Sequence, residues 1–252
     1  MTEPSIYEQA AEAIHNTKNA IAVTGAGVSV ESGIPDFRSP DGLWAKYPPF
    51  EYATAEALLE DPDKVWVMFY ELGDMLLEAK PNPAHFALAR LEEMGHLQGV
   101  ITQNIDNLHQ AAGNTVVVEY HGNAQSLICP ACHRRRPMSM EQRALGAPRC
   151  ECGGYMKPDV VLFGDPIPPQ AMLSADRLAR LSEVVLVVGT SAQVYPAAGL
   201  PLAAKEHGAT IIEVNTYPTE FTGRITDIFL QGPAGEVLPA VLNLIEQKDS
   251  AG

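Results

Sequence analysis

The chain has 252 residues, of which 46 % are hydrophobic and 19 % are charged, the composition of an ordinary soluble globular protein. Seventeen basic and 31 acidic residues leave a formal net charge of −14. A charge this negative argues against nucleic acid as a partner, because phosphates need a basic face, and it favours the approach of basic protein segments or simply serves solubility.

We expect neither a signal peptide nor a membrane span in this chain. The opening residues, MTEP, lack the basic and apolar regions of a signal peptide, and the longest purely aliphatic run, 184–188, is too short to cross a bilayer. We therefore expect a cytoplasmic monomer with no membrane partner. In that compartment the four cysteines are more often metal ligands than disulfides.

Apolar strands alternate with helices along most of the chain, and no internal repeat interrupts this order. Strands are predicted at 20–24, 100–102, 116–120, 160–163, 184–188 and 210–214. Helices are predicted at 83–94, capped by Asn82 and ended by Gly95, and at 169–181, 197–207 and 236–247. This alternation predicts an α/β domain with a parallel sheet and helices on both faces.

Two stretches break the alternation. Residues 44–80 read as a helical insert, and residues 127–157 hold all four cysteines with little that could build a sheet core. We expect these inserts to form a small lobe on a larger lobe of residues 1–43, 81–126 and 158–252. A ligand cleft is expected between the two lobes.

The cysteines form two close pairs, Cys129-x-x-Cys132 and, 17 residues later, Cys150-x-Cys152. Such pairs suit a tetrahedral Zn²⁺ site, and four thiolates leave no open position for a substrate, so the predicted metal is structural. Two alternatives remain from the residues alone. Cys129 to His133 also spells the C-x-x-C-H of c-type haem attachment, which needs an exported protein, and a redox dithiol would leave the second pair unexplained.

A glycine-rich turn follows the first predicted strand. In Gly25-Ala26-Gly27-Val28-Ser29 the glycines would let the backbone approach a pyrophosphate, whose charge the following amide groups would bind. Val30 replaces the third glycine of G-x-G-x-x-G, and no acidic residue ends the second strand. Alone, the segment indicates either a dinucleotide site or a plain tight turn.

A longer series of motifs surrounds this turn. In order they are GAGVS at 25–29, GIPDFRS at 33–39, DGLW at 41–44, TQNIDNLH at 102–109, EYHGN at 119–123, KPDVVLFG at 157–164, GTS at 189–191 and EVN at 213–215. The ordered series resembles the sirtuin family across nearly the whole chain. The resemblance implies a doubly wound, Rossmann-like parallel sheet with an inserted zinc-ribbon and helical lobe, and an enzyme that removes acyl groups from protein lysines while consuming NAD.

The resemblance also implies roles for individual residues. His121 would be the general base, with Asn104 and Asp106 as further catalytic residues. The implied NAD-binding residues are Gly25, Ala26, Gly27, Ser29, Asp36, Phe37, Arg38, Trp44, Gln103, Asn104, Ile105, Asp106, Gly189, Thr190, Ser191, Asn215 and Ala234. The implied acyl-lysine residues are Ala53, Tyr70, Val160, Val161, Phe163 and Gly164, and the implied zinc ligands are Cys129, Cys132, Cys150 and Cys152.

The residue types fit the chemistry that the resemblance implies. A carboxylate such as Asp106 can orient a carboxamide through its N–H groups, and Phe37 can shield a reactive face from water. The base that takes a proton from a ribose hydroxyl needs a pKa near neutrality, which histidine has. Read alone, His121 could be structural, Asp106 a helix cap and Asn104 a turn residue.

Residues 52–70 resemble a branch of the family that includes desuccinylases, which read acidic acyl groups with a Y-x-x-R pair. Here Tyr70 is followed by Gly73 at the arginine position. Because glycine offers a carboxylate no partner, we expect uncharged acyl groups to be preferred, with small Ala53 leaving room for longer chains.

Two competing functions remain. A mono-ADP-ribosyltransferase or NAD glycohydrolase would capture the same activated ribose with a side chain or with water. A non-catalytic NAD sensor is the third hypothesis, against which the combined presence of Asn104, Asp106 and His121 argues.

Overall fold

The computed structural model describes residues 4–140, 143 and 146–251. In chain order the elements are α1 (Ile6–His15), β1 (Ala20–Thr24), a 3₁₀ helix (Ala26–Ser32), α2 (Leu43–Lys46), α3 (Pro49–Tyr52), α4 (Ala55–Glu60), α5 (Pro62–Glu78), α6 (Pro83–Glu93), β2 (Leu97–Thr102), α7 (Leu108–Ala112), β3 (Val117–Glu119), β4 (Gly122–Ile128), β5 (Arg135–Pro137), β6 (Lys157–Val160), α8 (Pro169–Leu181), β7 (Val184–Val188), α9 (Gly199–Glu206), β8 (Thr210–Asn215), β9 (Ile228–Gln231) and α10 (Ala234–Ala251).

Six parallel strands form the central sheet in the order β3-β2-β1-β7-β8-β9. Strands β1 and β7 are buried along their whole length, as expected for strands covered on both faces. Counted within the sheet, the order is the 3-2-1-4-5-6 of a doubly wound fold, so the predicted Rossmann-like architecture is confirmed. The strand order reverses between β1 and β7, where such folds bind ligands.

Alternate residues of the strands feed two hydrophobic clusters. Ala20 and Ala22 of β1 pack with α1, α6 and α10 on one face. Ile21 and Val23 pack with α8 and α9 on the other. The two-residue period of the strand therefore divides the core into two layers, and the sheet is held rigidly between them.

The two inserts share a third hydrophobic cluster. Helices α2 to α5 pack against a three-stranded antiparallel sheet, β5-β4-β6, which lies beside the cysteines. Trp66 of α5 is fully buried and donates its indole N–H to the carbonyl of Met156 at 2.9 Å. Apolar packing and this bond tie the helical insert to the cysteine-bearing one.

The structure corrects several predicted elements. The predicted strand 160–163 is wrong as a member of the parallel sheet, because only Val160 is in a strand, β6, and β6 pairs antiparallel with β4. Strand β2 begins at Leu97, and the last two helices also differ at their ends from the predicted ranges. Helix α1 and edge strand β9 are absent from the predicted set, although the capping box of Ser5 and Glu8 marks the start of α1.

None of the helices in the described ranges combines the length and apolarity that crossing a bilayer requires.

Candidate active site

A cavity of about 1020 Å³ opens at the carboxyl ends of the central strands and reaches the helical insert. It collects nearly all of the predicted cofactor and acyl-lysine residues; only Tyr70 and Gly164 are not part of its lining. The predicted residues that line it are Gly25, Ala26, Gly27, Ser29, Asp36, Phe37, Arg38, Trp44, Ala53, Gln103, Asn104, Ile105, Asp106, His121, Val160, Val161, Phe163, Gly189, Thr190, Ser191, Asn215 and Ala234.

Two glycine turns, one after β1 and one after β7, meet at the strand-order reversal. The amide of Gly27 donates to the carbonyl of Gly189 at 2.8 Å. A Cβ on Gly27 would lie 2.7 Å from the Cα of Gly189, and Gly189 has a φ of +59°. The glycines are therefore needed for close backbone approach, which leaves this edge of the cavity free of side chains.

A hydrogen-bonded network fixes the polar residues at the end of β2. The side-chain amide of Asn104 donates to Ser29 Oγ at 3.0 Å and to the carbonyl of Gly25 at 3.2 Å. Ser29 in turn donates to Asp106 Oδ2 at 2.7 Å. The other oxygen of Asp106 accepts from the amide of Leu108, the first residue of α7, at 2.9 Å. Asn104 and Asp106 are thus held in fixed positions beside the glycine turn.

A buried layer lies behind this network. Thr24 Oγ1 donates to Thr102 Oγ1, which accepts from the backbone amide of Asn104 at 3.0 Å. His109 Nε2 lies 2.9 Å from Thr24 Oγ1, and its ring packs edge-on against that of His85. Burial lowers the pKa of His85 to about 4 and that of His109 to about 3, so both imidazoles are neutral near pH 7.

His121 connects two sides of the cavity. Its Nδ1 lies 3.1 Å from the carbonyl of Gln103, and its own carbonyl accepts from the amide of Val161 at 2.8 Å. Because a carbonyl only accepts, Nδ1 carries the hydrogen, and Nε2 keeps the lone pair of a base. Burial lowers the pKa of His121 below its ordinary value of 6.5, partly opposed by this hydrogen bond.

Residues 35–44 form a loop with an aromatic face over the cavity. Phe37 stacks on Trp44 with ring centroids 4.9 Å apart, and Trp44 lies 6.3 Å from the ring of Phe163. Asp36 Oδ1 accepts from the backbone amides of Arg38 and Ser39 at 2.8 and 2.7 Å, so the carboxylate shapes its own turn. The loop therefore presents the rings of Phe37 and Trp44 to the cavity, which Asp36 and Arg38 also line.

The β8 end of the cavity is polar and includes residues that the sequence did not single out. Asn215 donates to the carbonyl of Thr190 at 2.9 Å, which joins the turn after β7 to β8. Glu31, Tyr217 and Glu220 also line this end. Glu31 accepts from the amide of Gly235 at the start of α10, at 2.7 Å; its position one turn beyond the glycine motif was the only available signal.

The structure places Tyr70 and Gly73 of α5 outside the cavity lining. The Tyr70 hydroxyl donates to the carbonyl of Gly146 at 2.9 Å, outside the cavity, and a side chain at Gly73 would meet Met140. The α5 residues that line the cavity are Met68, Phe69, Leu72 and Leu76. Of the α5 pairs three residues apart, Phe69 and Leu72 both line the cavity. Tyr70 and Gly73 are each one residue further on, and one residue turns a helical side chain by about 100°.

Residues 160–163 run in extended form along one side of the cavity, and Gly164 turns away with a φ of +92°. The amide of Phe163 donates to the carbonyl of Ala53 at 2.9 Å, and its carbonyl accepts from Ala55 at 2.9 Å. The Lys157 ammonium is buried and donates to the carbonyl of Val160, and it pairs with Asp165 at 3.0 Å. These bonds fasten the segment at both ends.

The four cysteine sulfurs lie within 4.8 Å of one another. Cys129 and Cys152 have their Sγ atoms 3.6 Å apart, as do Cys132 and Cys150. Four sulfurs at the usual Zn–S distance in a tetrahedron lie about 3.8 Å apart. The described geometry thus fits a structural Zn²⁺ with four thiolate ligands, and the predicted set is brought together.

A doubly wound sheet with a large cavity at its strand-order reversal, and a four-cysteine metal module inserted beside it, defines a nucleotide-binding α/β protein. The model of the Sir2 family matches residues 25–196, more than half of the chain. The chain therefore belongs to the Sir2 family, the sirtuins, which its motifs resemble.

Named relatives and solved structures agree with this membership. An "NAD-dependent protein deacylase" of Pyrococcus abyssi is 46 % identical over 95 % of this chain and 98 % of its own. A mutant Sir2 homologue in complex with ADP-ribose has a TM-score of 0.93 at 39 % identity, covering 100 % of this chain and 99 % of that one. A Sir2 protein bound to a myristoylated histone peptide has a TM-score of 0.83 at 38 % identity, covering 98 and 99 %.

Proposed function

We propose that this chain is an NAD-dependent protein-lysine deacylase, which transfers the acyl group of a modified lysine to ADP-ribose and releases nicotinamide. The observation that carries the proposal is the position of His121. The imidazole is hydrogen-bonded to the carbonyl of Gln103, in the polar motif at the end of β2, and the backbone carbonyl of His121 accepts from the amide of Val161, in the extended segment. A base placed between these two groups can serve a reaction in which a nucleotide and an acyl-lysine meet.

The nucleotide would lie along the carboxyl edge of the sheet. The side-chain-free turns at Gly25 and Gly189 suit the pyrophosphate, with the start of the 3₁₀ helix facing it. Asn215 and the residues near Ala234 line the end that would hold adenosine. The names of the Pyrococcus relative and of the ADP-ribose complex support this placement.

The nicotinamide end would lie at the Asn104–Asp106 network. NAD supplies a ribose that becomes reactive when its neutral nicotinamide leaves. Asp106 and Asn104 would orient the carboxamide and the ribose, since Ser29 and the backbone hold both side chains in place. Phe37 and Trp44 would keep water from the reacting carbon, and His121 Nε2 would take the proton of a ribose hydroxyl.

The acyl chain would enter an apolar end of the cavity. Ala53, Met68, Leu72 and Leu76 line this end, and Arg38 is the only cationic side chain that the described residues contribute to the lining. Arg38 is exposed on the 35–44 loop. An acidic acyl group would lose hydration without gaining a partner on α5, so uncharged acyl groups are preferred, long ones included.

The zinc module would set the position of this apolar end. Two of its cysteines, Cys129 and Cys150, share one hydrophobic cluster with α5, which supports a small lobe made of both inserts on a larger lobe that carries the nucleotide. The partner is an acylated lysine in a protein or peptide, and the net charge of −14 favours basic segments.

The test is incubation of the purified protein with NAD and one peptide carrying acetyl-lysine, followed by mass spectrometry. We expect free lysine peptide, nicotinamide and acyl-ADP-ribose in equal amounts, and no reaction without NAD. Free ADP-ribose, or ADP-ribose attached to the peptide, with the acyl group still on lysine would contradict the proposal. Those products would instead support the glycohydrolase or the transferase.

A further inference from the structure

A carboxylate lies in the core of the molecule, outside the network that the proposed chemistry uses. Glu213, in the middle of β8, is fully buried. Its oxygens accept three hydroxyl hydrogen bonds, from Thr219 Oγ1 at 2.5 Å and from Thr222 and Thr226 Oγ1 at 2.7 Å each. No lysine, arginine or histidine of the described ranges forms an ion pair with it.

A buried carboxylate surrounded by hydroxyl groups alone is an expensive arrangement, since nothing of opposite charge repays its lost hydration. Neighbouring Ile212 and Val214 point to the opposite face and join the apolar core there. An apolar residue at 213 would satisfy packing at lower cost. We therefore look for the role of the carboxylate in the groups that it binds. All three donors come from one segment, the connection between β8 and β9.

The three hydroxyls fold this connection into a compact turn. Thr219 also receives the amide of Phe221, at 3.1 Å, and the amide of Thr219 donates to Thr222 Oγ1 at 2.9 Å. Phe221 is buried in the hydrophobic cluster beneath. The inner face of the connection is thus fastened to β8 by the side chain of Glu213 and by the buried ring of Phe221, while its far end is held by Asp227, whose carboxylate accepts from the amide of Ile211 at 2.8 Å.

The outer face of the same connection lines the cavity. The lining includes Tyr217 and Glu220, although Tyr217 is 76 % exposed and would be free to move without the turn below it. Thr219 contributes to both faces, since it lines the cavity and donates to Glu213. Asn215, two residues along β8 from Glu213, begins this wall.

We infer that Glu213 is a positioning residue for the adenosine end of the nucleotide, acting through the hydroxyls of Thr219, Thr222 and Thr226. The inference rests on the proposed function for the identity of the ligand. By holding the connection in its bound shape before the ligand arrives, the carboxylate removes an ordering cost from binding. Its effect falls on nucleotide affinity and not on the acyl end of the cavity.

The experiment compares Glu213→Ala with a matched control, Ile212→Ala, in the full-length protein. Ile212 is equally buried on the same strand but faces the opposite core. For each variant we would measure the thermal midpoint, the Kd for ADP-ribose by calorimetry, and separate KM values for NAD and acetyl-lysine peptide. Zinc content and the KM for peptide report whether the inserts remain intact.

We expect Glu213→Ala to weaken ADP-ribose binding and raise the KM for NAD by about ten- to a hundredfold, the scale of a small misplacement in a binding site. The KM for peptide should stay within about twofold. Ile212→Ala should lower the thermal midpoint while leaving the Kd for ADP-ribose near the wild-type value. Glu213→Gln should restore most of the affinity, because its amide can still accept and donate among rotatable hydroxyls.

The inference fails if Glu213→Ala lowers the thermal midpoint but binds ADP-ribose as tightly as wild type, or if both alanine variants lose affinity equally. Should Glu213→Ala not fold, Thr222→Val combined with Thr226→Val removes two donors at nearly constant volume, and the same affinity loss is expected. If the wild-type protein itself did not bind ADP-ribose, the proposed function would fail, and this inference would fall with it.

Discussion

The two ends of the cavity are built in different ways. The nucleotide end is made of glycine turns and short polar side chains at the ends of buried strands, and Asn104, Ser29 and Asp106 hold one another. The end proposed for the acyl chain is lined by α5 side chains such as Leu72 and Leu76, together with Ala53 and the extended segment 160–163. The nucleotide end depends on close backbone contacts, whereas the other end depends on which face of α5 points into the cavity.

This difference has a consequence for variation. A strand-end motif carries its own constraints, because a residue larger than glycine at 27 would collide with Gly189. The cavity-facing residues of α5 are limited by side-chain packing instead, since Met68 and Phe69 belong to the hydrophobic cluster of the inserts, and they make no backbone contact with the glycine turns. Specificity for the acyl group can therefore change while nucleotide binding stays the same.

Removal of the metal should separate the two ends most sharply. We expect Cys150→Ala to abolish the binding of about one zinc per chain and to unfold the cysteine module, since structural zinc contributes about 10 kcal/mol or more in small zinc-binding peptides. Peptide turnover should disappear, whereas ADP-ribose binding should fall much less. Elemental analysis and calorimetry measure the two quantities.

The control for the metal is His133→Asn, which changes the exposed residue next to Cys132. His133 has a positive φ of 59°, a conformation that asparagine adopts readily. The variant should keep zinc and activity. Iron or haem in the wild-type protein, or equal loss of peptide turnover and ADP-ribose binding in Cys150→Ala, would contradict this view of two separately built ends.

Loss of the base should affect turnover without affecting either end. We expect His121→Ala to lower kcat by at least about 10²-fold, the usual scale for a general base, with unchanged Kd for ADP-ribose. Steady-state kinetics and calorimetry on zinc-loaded protein give both values. Near-normal turnover in a preparation free of contaminating deacylase would refute the role of His121.

Charge at the acyl end should change substrate preference. Wild-type protein should process acetyl-lysine about tenfold or more better than succinyl-lysine, because an unpaired carboxylate loses several kcal/mol of hydration. Phe69→Tyr combined with Leu72→Arg should narrow this ratio by supplying a hydroxyl and a guanidinium on the cavity face of α5. Side-by-side kcat/KM on one peptide sequence measures the ratio.

Gly73→Arg is the matched control for charge, because a side chain at position 73 would point toward Met140 and away from the cavity lining. It should leave the succinyl-to-acetyl ratio unchanged. A gain in succinyl-lysine activity from Gly73→Arg, and none from the Leu72 variant, would show that positions 70 and 73 face the acyl group after all.

The depth of the acyl end should limit chain length. Leu76 lies four residues beyond Leu72, about one helical turn further along the wall. We expect Leu76→Trp to lower kcat/KM for myristoyl-lysine about tenfold while acetyl-lysine is processed as before, because overfilling costs about 1–3 kcal/mol. Equal losses for both substrates would show that Leu76 does not bound the chain.

The smallest expected effect is on pH dependence. The neutral imidazole of His121 is the active form, and burial lowers its pKa below 6.5. Activity should therefore be retained at pH 7 and lost as the pH falls through a value below 6.5, where the ring gains a proton. A kcat/KM profile with its acidic limb above 6.5, while ADP-ribose binding is constant, would contradict this assignment.

Much of the nucleotide end could be predicted from the sequence. The glycines, Asn104, Asp106 and His121 lie in short motifs at strand ends, where local backbone demands restrict the residue types. The cysteine spacing likewise predicted a cluster that the fold brings together. In these places the sequence alone determined which residue types stand at the strand ends, because the constraint acts within a few residues along the chain.

Tertiary structure alone decided the remainder. Which face of α5 meets the cavity depends on tertiary packing, such as that of Trp66 against Met156, 90 residues away, so the sequence did not show that Tyr70 lies outside the cavity lining. The pairing of Glu213 with three threonines, and the role of 161–163 as an extended wall instead of a sheet strand, arise in the same way. Such contacts join residues whose separation along the chain carries no local signal, and only the packed core brings them together.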